Sequence, residues 1–246
     1  MIRGLSLALI FLTRIPVPVR FEPRPQDWGR SVFFFPFVGL IIGLGLAGLD
    51  AVFPHGDSGV LAALLLVAWA LTTGGLHLDG LADAADAWIG GYGDREKTLA
   101  IMKDPRSGPM AIMVMILTLL VKFAALKVVV EQNAWEMLVW TPVMGRAAIL
   151  MMLVTTPYVR PEGIGVAHAD YMPRRACGWL LLGIVGVTLW KLGGDGMILI
   201  CMLGLSFVGL RQLLLERLGG VTGDTLGATC ELTEAVTLVI LALLIG

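Results

Sequence analysis

Asp79, Asp83 and Asp86 stand at i, i+4 and i+7 in the run Gly74-Gly75-Leu76-His77-Leu78-Asp79-Gly80-Leu81-Ala82-Asp83-Ala84-Ala85-Asp86. On a helix turning about 100° per residue, this spacing stacks three carboxylates on one face. Carboxylates that close repel unless a cation sits among them, and a hard divalent cation is the usual partner. The residues between them are Gly, Ala and Leu, not the Lys and Glu of an ordinary solvated face. The pattern therefore reads as a Mg²⁺ or Mn²⁺ ligand set. Zinc would call for more His or Cys than the one histidine nearby. That residue, His77, is either a structural hydrogen-bonding group or a substrate contact.

Two further segments carry groups that suit phosphate chemistry. Ile101-Met102-Lys103-Asp104-Pro105-Arg106-Ser107-Gly108 places two cations and an acid beside a proline and a glycine. Lys103 and Arg106 read as a phosphate clamp, or else as a positive anchor at a membrane face. Gly219-Gly220-Val221-Thr222-Gly223-Asp224-Thr225-Leu226-Gly227 is a glycine-rich entry to a helix, followed by Glu231 and Glu234. Its backbone N–H groups suit a phosphate, with Thr222 as a substrate contact. Asp224 and Glu231, seven apart, read as a second acidic wall of the metal site, unless Asp224 is only a helix cap. Arg146 falls near the middle of an apolar segment, where an arginine is costly without an anionic partner or a wet cavity. That partner is expected to be an acid such as Asp224 or Glu231, or a substrate phosphate, and substrate is the preferred reading. Lys122 either reaches the same cavity or snorkels. Arg14, in Phe11-Leu12-Thr13-Arg14-Ile15-Pro16-Val17-Pro18, sits on an elbow that proline forbids from continuing as helix, and is a further candidate phosphate contact.

The elements that hold these groups are membrane helices. The 246 residues are 57% hydrophobic and 15% charged, with a mean hydropathy of +0.84. A soluble domain carries about 25% charged residues. The chain reads as an all-α, polytopic integral membrane bundle forming a single catalytic domain over residues 1–246. Seven spans are expected, at 32–53, 59–77, 109–130, 136–156, 176–192, 197–215 and 231–245, plus a short N-terminal helix that is buried or interfacial. Glycines at 39, 43, 45 and 48 suit close helix packing. Arg3, Arg14, Arg20, Arg24, Arg30, Arg95, Lys97, Lys103, Arg106, Arg160, Arg174, Arg175, Arg211 and Arg217 all fall on one side of that arrangement, which the positive-inside rule makes the cytoplasm. The N-terminus is then cytoplasmic, and the acidic and basic motifs gather at the cytoplasmic face. The net charge of −1 and the absence of a long basic run argue against nucleic acid. Cys177, Cys201 and Cys230 lack metal or redox spacing and read as small hydrophobes.

The chain resembles the cobalamin synthase family, adenosylcobinamide-GDP ribazoletransferase. The matching pieces are residues 11–18, the Pro36-Phe37-Val38-Gly39 entry to the first span, 74–86, 101–108, Gly145-Arg146 and 219–234. They run in order over nearly the whole chain. The departures, at Ala84, Pro105 and Pro109-Met110, remove no charged group. The resemblance implies a site like that of the CDP-alcohol phosphotransferases, and a Mg²⁺-dependent reaction. Adenosylcobinamide-GDP would be joined to α-ribazole or its 5′-phosphate, with release of GMP. In that frame Asp79, Asp83, Asp86, Asp224 and Glu231 are the metal set. Asp83, Asp86, Lys103 and Arg146 are catalytic, with Asp83 or Asp86 as the base. Arg14, His77, Asp104, Arg106 and Thr222 bind substrate. The expected setting is the cytoplasmic membrane of a bacterium or archaeon, with the lipid bilayer as partner and a homo-oligomer allowed for.

Two other readings compete. A phospholipid-type CDP-alcohol transferase would carry an arginine soon after Asp79-Gly80, which this chain lacks. An ion transporter would place its acids at the bilayer midplane on broken helices.

Overall fold

The computed structural model describes residues 2–54 and 56–246. Its elements are helical: α1 (Ile2–Leu12), α2 (Pro25–Ser31), α3 (Phe35–Val52), α4 (Ser58–Thr73), α5 (Leu76–Gly90), α6 (Arg95–Ile101), α7 (Pro109–Glu131), α8 (Trp135–Thr155), α9 (Ile164–Tyr171), α10 (Arg174–Leu218) and α11 (Gly223–Ile245). A single 3₁₀ turn, Val32–Phe34, joins α2 to α3. The all-α membrane architecture expected from the sequence is therefore the one observed.

Among the described residues, five helices are long and apolar enough to cross a membrane: Pro25–Val52, Pro109–Glu131, Trp135–Thr155, Arg174–Leu218 and Gly223–Ile245. Counted as one span, the bent pair α4–α5 would make a sixth. The remaining difference from seven lies in α10. A straight helix of its 45 residues would run about 67 Å, twice the ~30 Å hydrocarbon core. It is broken at Gly193, whose φ of 56° and ψ of −123° suit only glycine. A Cβ at Gly196 would lie 2.7 Å from the carbonyl oxygen of Thr188, so the chain doubles back there. Both ends reach the end of α8: Arg174 Nη1 donates to the carbonyls of Leu153 (3.3 Å) and Val154 (2.9 Å), and Arg211 Nη2 to that of Thr155 (2.8 Å). The halves of α10 are two antiparallel helices, matching in position the expected segments 176–192 and 197–215.

The second span differs more. It was expected to run to residue 77, but α4 stops at Thr73 because Gly74 and Gly75 both take left-handed conformations, φ 62° and 69°. The chain turns by 87° there, so α5 departs from the direction of α4 instead of continuing it. Glycine is the residue that makes two successive left-handed positions cheap. Arg14 packs on this corner, its N–H bonded to the Thr72 carbonyl at 2.7 Å. The last span was expected from residue 231, whereas α11 starts at Gly223, so Asp224, Glu231 and Glu234 share one helix.

The core runs between α3, α4, α7, α8 and α11, with Leu65, Leu126, Leu138, Leu150, Leu153 and Leu238 wholly or almost wholly buried. Gly39 and Gly43 let α3 meet the α8 backbone at Pro142 and Val139, whereas Gly45 and Gly48, also expected at a packing face, have no neighbour within 4 Å of a Cβ. The helix α1 is too short to span at about 16 Å, and buries Leu7, Ala8 and Leu12.

Candidate active site at one face of the bundle

The acidic helix α5 is brought to α11 by a contact between glycines. A Cβ on Gly80 would lie 2.8 Å from the Asp224 carbonyl oxygen, and Gly227 faces the His77 and Gly80 backbones. Only helices without side chains at the crossing approach so closely. The consequence is electrostatic. Asp224, in the first turn of α11, joins Asp79 and Asp83. Burial together with the charges of Asp79, Asp224 and Asp86 lifts the Asp83 carboxyl to about 6, against the opposite pull of Arg160. Arg160 Nη2 pairs with Asp224 Oδ2 at 2.5 Å.

Asp86 sits on the same helix but is committed to structure. Its Oδ2 accepts from the Gly108 N–H (2.5 Å) and its Oδ1 from the Ala111 N–H (2.9 Å), so it caps the start of α7. This bond ties one end of the loop 102–108 to the acidic helix. The other end is tied at Met102, whose carbonyl meets Arg160 Nη2 at 3.5 Å and whose sulfur lies 3.8 Å from the Thr222 hydroxyl. The loop that carries Lys103, Asp104 and Arg106 is thus anchored at both ends to the segments around the carboxylates. Lys103 is exposed. Arg106 forks onto Asp104, with Nε to Oδ1 at 2.9 Å and Nη2 to Oδ2 at 2.6 Å, which holds the Asp104 carboxyl down to about 2.

A second set of charges lies deeper, fully buried. Lys122 Nζ reaches Glu231 Oε2 at 2.8 Å and Glu234 Oε2 at 2.6 Å, and stands 4.2 Å from the Trp69 ring centre. Arg146 pairs with Glu234, and its Nη2 is 3.4 Å from His77 Nδ1. Two cations and two carboxylates balance here between α4, α5, α7, α8 and α11.

Several expected site residues fall into this deeper set. Glu231 was expected among the metal ligands. It shares a helical face with Asp224, but seven residues along α11 is about 10 Å of rise, and it turns to Lys122 instead. Arg146, expected to face substrate, has Glu234 as its partner, and His77 is a buried neighbour of Arg146. Thr222, expected to touch substrate, is buried and caps α11: its hydroxyl accepts from the Thr225 N–H at 3.2 Å. Asp79, Asp83, Asp86 and Asp224 come together, the loop that carries Lys103, Asp104 and Arg106 is anchored to Asp86 at one end, and Arg14 lies at the corner that starts α5.

Arg160 had been read only as a topological anchor. Nothing local marks it. It reaches Asp224 because the segment after α8 zips onto the turn before α11, through a parallel bridge of Tyr158 with Val221. Val159 N–H bonds the Val221 carbonyl at 2.9 Å, and Val221 N–H the Pro157 carbonyl at 2.8 Å.

Among the described residues, no three His, Cys, Asp or Glu side chains close into a ready-made metal cage. Mg²⁺ does not require one: it is commonly held by one or two carboxylates, waters and substrate phosphate. An open set of hard oxygen donors, with Asp83 raised by its neighbours, fits that mode.

Comparison with known proteins gives the family. The family model described as cobalamin-5-phosphate synthase matches residues 4–242. The adenosylcobinamide-GDP ribazoletransferase of Pseudomonas entomophila is 51% identical over 241 residues, covering 97% of this chain and 98% of its own. The protein of the same name from Pseudomonas putida strain W619 is 50% identical, covering 96% and 97%. That from Pseudomonas fluorescens strain SBW25 is 48% identical, covering 96% and 98%. No solved structure matches the chain. With a family model spanning nearly the whole length and relatives at half identity, the chain belongs to the cobalamin-5-phosphate synthase family.

Proposed function

We propose that this protein is an adenosylcobinamide-GDP ribazoletransferase, joining its donor to α-ribazole or to α-ribazole 5′-phosphate and releasing GMP. The observation that carries the reading is the meeting of two unlike sets at one face. Carboxylates from α5 and α11 converge there, and a cationic loop is tied at both ends beside them. Carboxylates alone serve a cation, and cations alone serve a phosphate. Together they serve transfer at a diphosphate.

Asp79, Asp83 and Asp224 would hold Mg²⁺, which when bound would neutralise the diphosphate and the departing GMP. Lys103 and Arg106, on the loop anchored beside α5, would meet the phosphate oxygens, Arg106 after leaving Asp104. A ribose hydroxyl attacks the phosphorus bonded to the cobinamide side, forming a P–O bond as the P–O bond to GMP breaks. The hydroxyl proton passes to a carboxylate. Asp83 suits that task better than Asp86, whose two oxygens are engaged by α7. Arg146, Lys122, Glu231, Glu234 and His77 act beneath the site, locking α5, α7, α8 and α11 in register. We place the site face in the cytoplasm and the protein in the cytoplasmic membrane, as the arginine and lysine asymmetry demands.

The test is GMP release by purified protein from adenosylcobinamide-GDP and α-ribazole, with and without Mg²⁺. Activity should require both the metal and Asp83, and Asp83→Asn should fold and yet release no GMP. Full turnover by a folded Asp83→Asn protein would refute the assignment.

A further inference from the structure

The carboxylate cluster has one protein cation pairing directly with it among the described residues, Arg160. Its donors are only partly used. Nη2 serves both Asp224 and the Met102 carbonyl. Nε is buried with no partner among the described residues, and a buried donor without one points to a missing ligand or water. The side chain stays reachable, at 20% exposure. A guanidinium carries five N–H groups in a rigid fork, and a carboxylate gripping one edge orients the rest. The residue next along from Met102 is Lys103, so this fork opens beside the cationic loop.

We propose that Arg160 is a further substrate-binding residue, taking a phosphate oxygen of the diphosphate donor on the N–H groups that Asp224 leaves free. The proposal rests on the transferase reading above. Asp224 then has two roles, metal ligand and orienting partner of Arg160. The bridge between Tyr158 and Val221 exists, on this view, to carry a phosphate contact from the end of α8 to the entrance of α11.

The test uses the full-length protein in detergent, with Arg160→Gln and Arg160→Lys. Inorganic pyrophosphate serves as the bare diphosphate probe, through its inhibition constant, and Mn²⁺ binding is read separately by electron paramagnetic resonance. Arg160→Gln should weaken pyrophosphate inhibition and raise KM for adenosylcobinamide-GDP by about tenfold or more, with KM for α-ribazole little changed. Arg160→Lys, which keeps the charge and loses the fork, should recover part of the affinity. Mn²⁺ affinity should hold or tighten, because a competing positive charge has left the cluster. Weakened Mn²⁺ binding with unchanged pyrophosphate affinity would overturn the proposal, leaving Arg160 as a support for Asp224 alone. Should Arg160→Gln fail to fold, Arg160→Lys decides: pyrophosphate affinity equal to wild type overturns the proposal. Asp83→Asn separates the two claims. If it is inactive while Arg160→Gln binds pyrophosphate normally, only this inference falls. If it retains full GMP release, the transferase site itself is misassigned.

Discussion

Replacing Arg146 by methionine tests whether the deep charges form a structural lock. Lys122 and Arg146 face Glu231 and Glu234, all nearly or fully excluded from solvent, and their formal charges cancel. Without Arg146, two buried carboxylates share one ammonium. Removing one side of a buried ion pair costs about 3–5 kcal/mol, because the charge left behind has lost both water and partner. At roughly 2–4 °C per kcal/mol for a chain of this size, the melting temperature should fall by about 6–20 °C. Arg146→Met combined with Glu234→Gln leaves the Lys122–Glu231 pair neutral and should regain most of the loss. The coupling between the two sites should be about 2 kcal/mol or more. Thermal unfolding in a single detergent measures all three variants, with GMP release recorded on the same samples. If Arg146→Met melts like wild type but no longer turns over, the arginine faces substrate and the lock is wrong. A double variant no more stable than the single one would refute the pairing equally.

Two other expectations follow from the geometry. Asp86→Ala removes both acceptors that cap α7 and should destabilise by about 1–2 kcal/mol, with Asp86→Asn losing less because one oxygen remains; unchanged unfolding of Asp86→Ala would dismiss the cap. For orientation, cysteines placed at Gly56 and at Ser107 sit in exposed loops on opposite faces. Cys177 and Cys230 are buried, so only Cys201 needs replacing. In intact cells a membrane-impermeant thiol reagent should label the cysteine at 56 and spare that at 107, and the reverse result would place the site outside the cytoplasm.

The spans and the acidic triad were legible in the sequence because each depends on a repeat within one helix. Apolar runs long enough to cross a bilayer mark spans, and i, i+4, i+7 spacing puts Asp79, Asp83 and Asp86 on one face whatever surrounds them. The turning points were half legible. Gly74-Gly75 and the Gly193-Gly194 pair mark chain breaks, but only backbone torsions show that the first turns α5 away from the direction of α4 and the second folds α10 into a hairpin. Depth and partnership were decided by tertiary structure alone. Periodicity gives the face of α11 that carries Asp224, Glu231 and Glu234, but not how far α11 stands along α5 and α7. That offset is set where Gly80 meets Asp224 and Gly227 meets His77, and it sends Asp224 to the site and the two glutamates to Lys122 and Arg146. Arg160 reaches Asp224 across 64 residues of sequence through a two-residue bridge, and no local pattern encodes a contact that exists only once both loops are held by their helices.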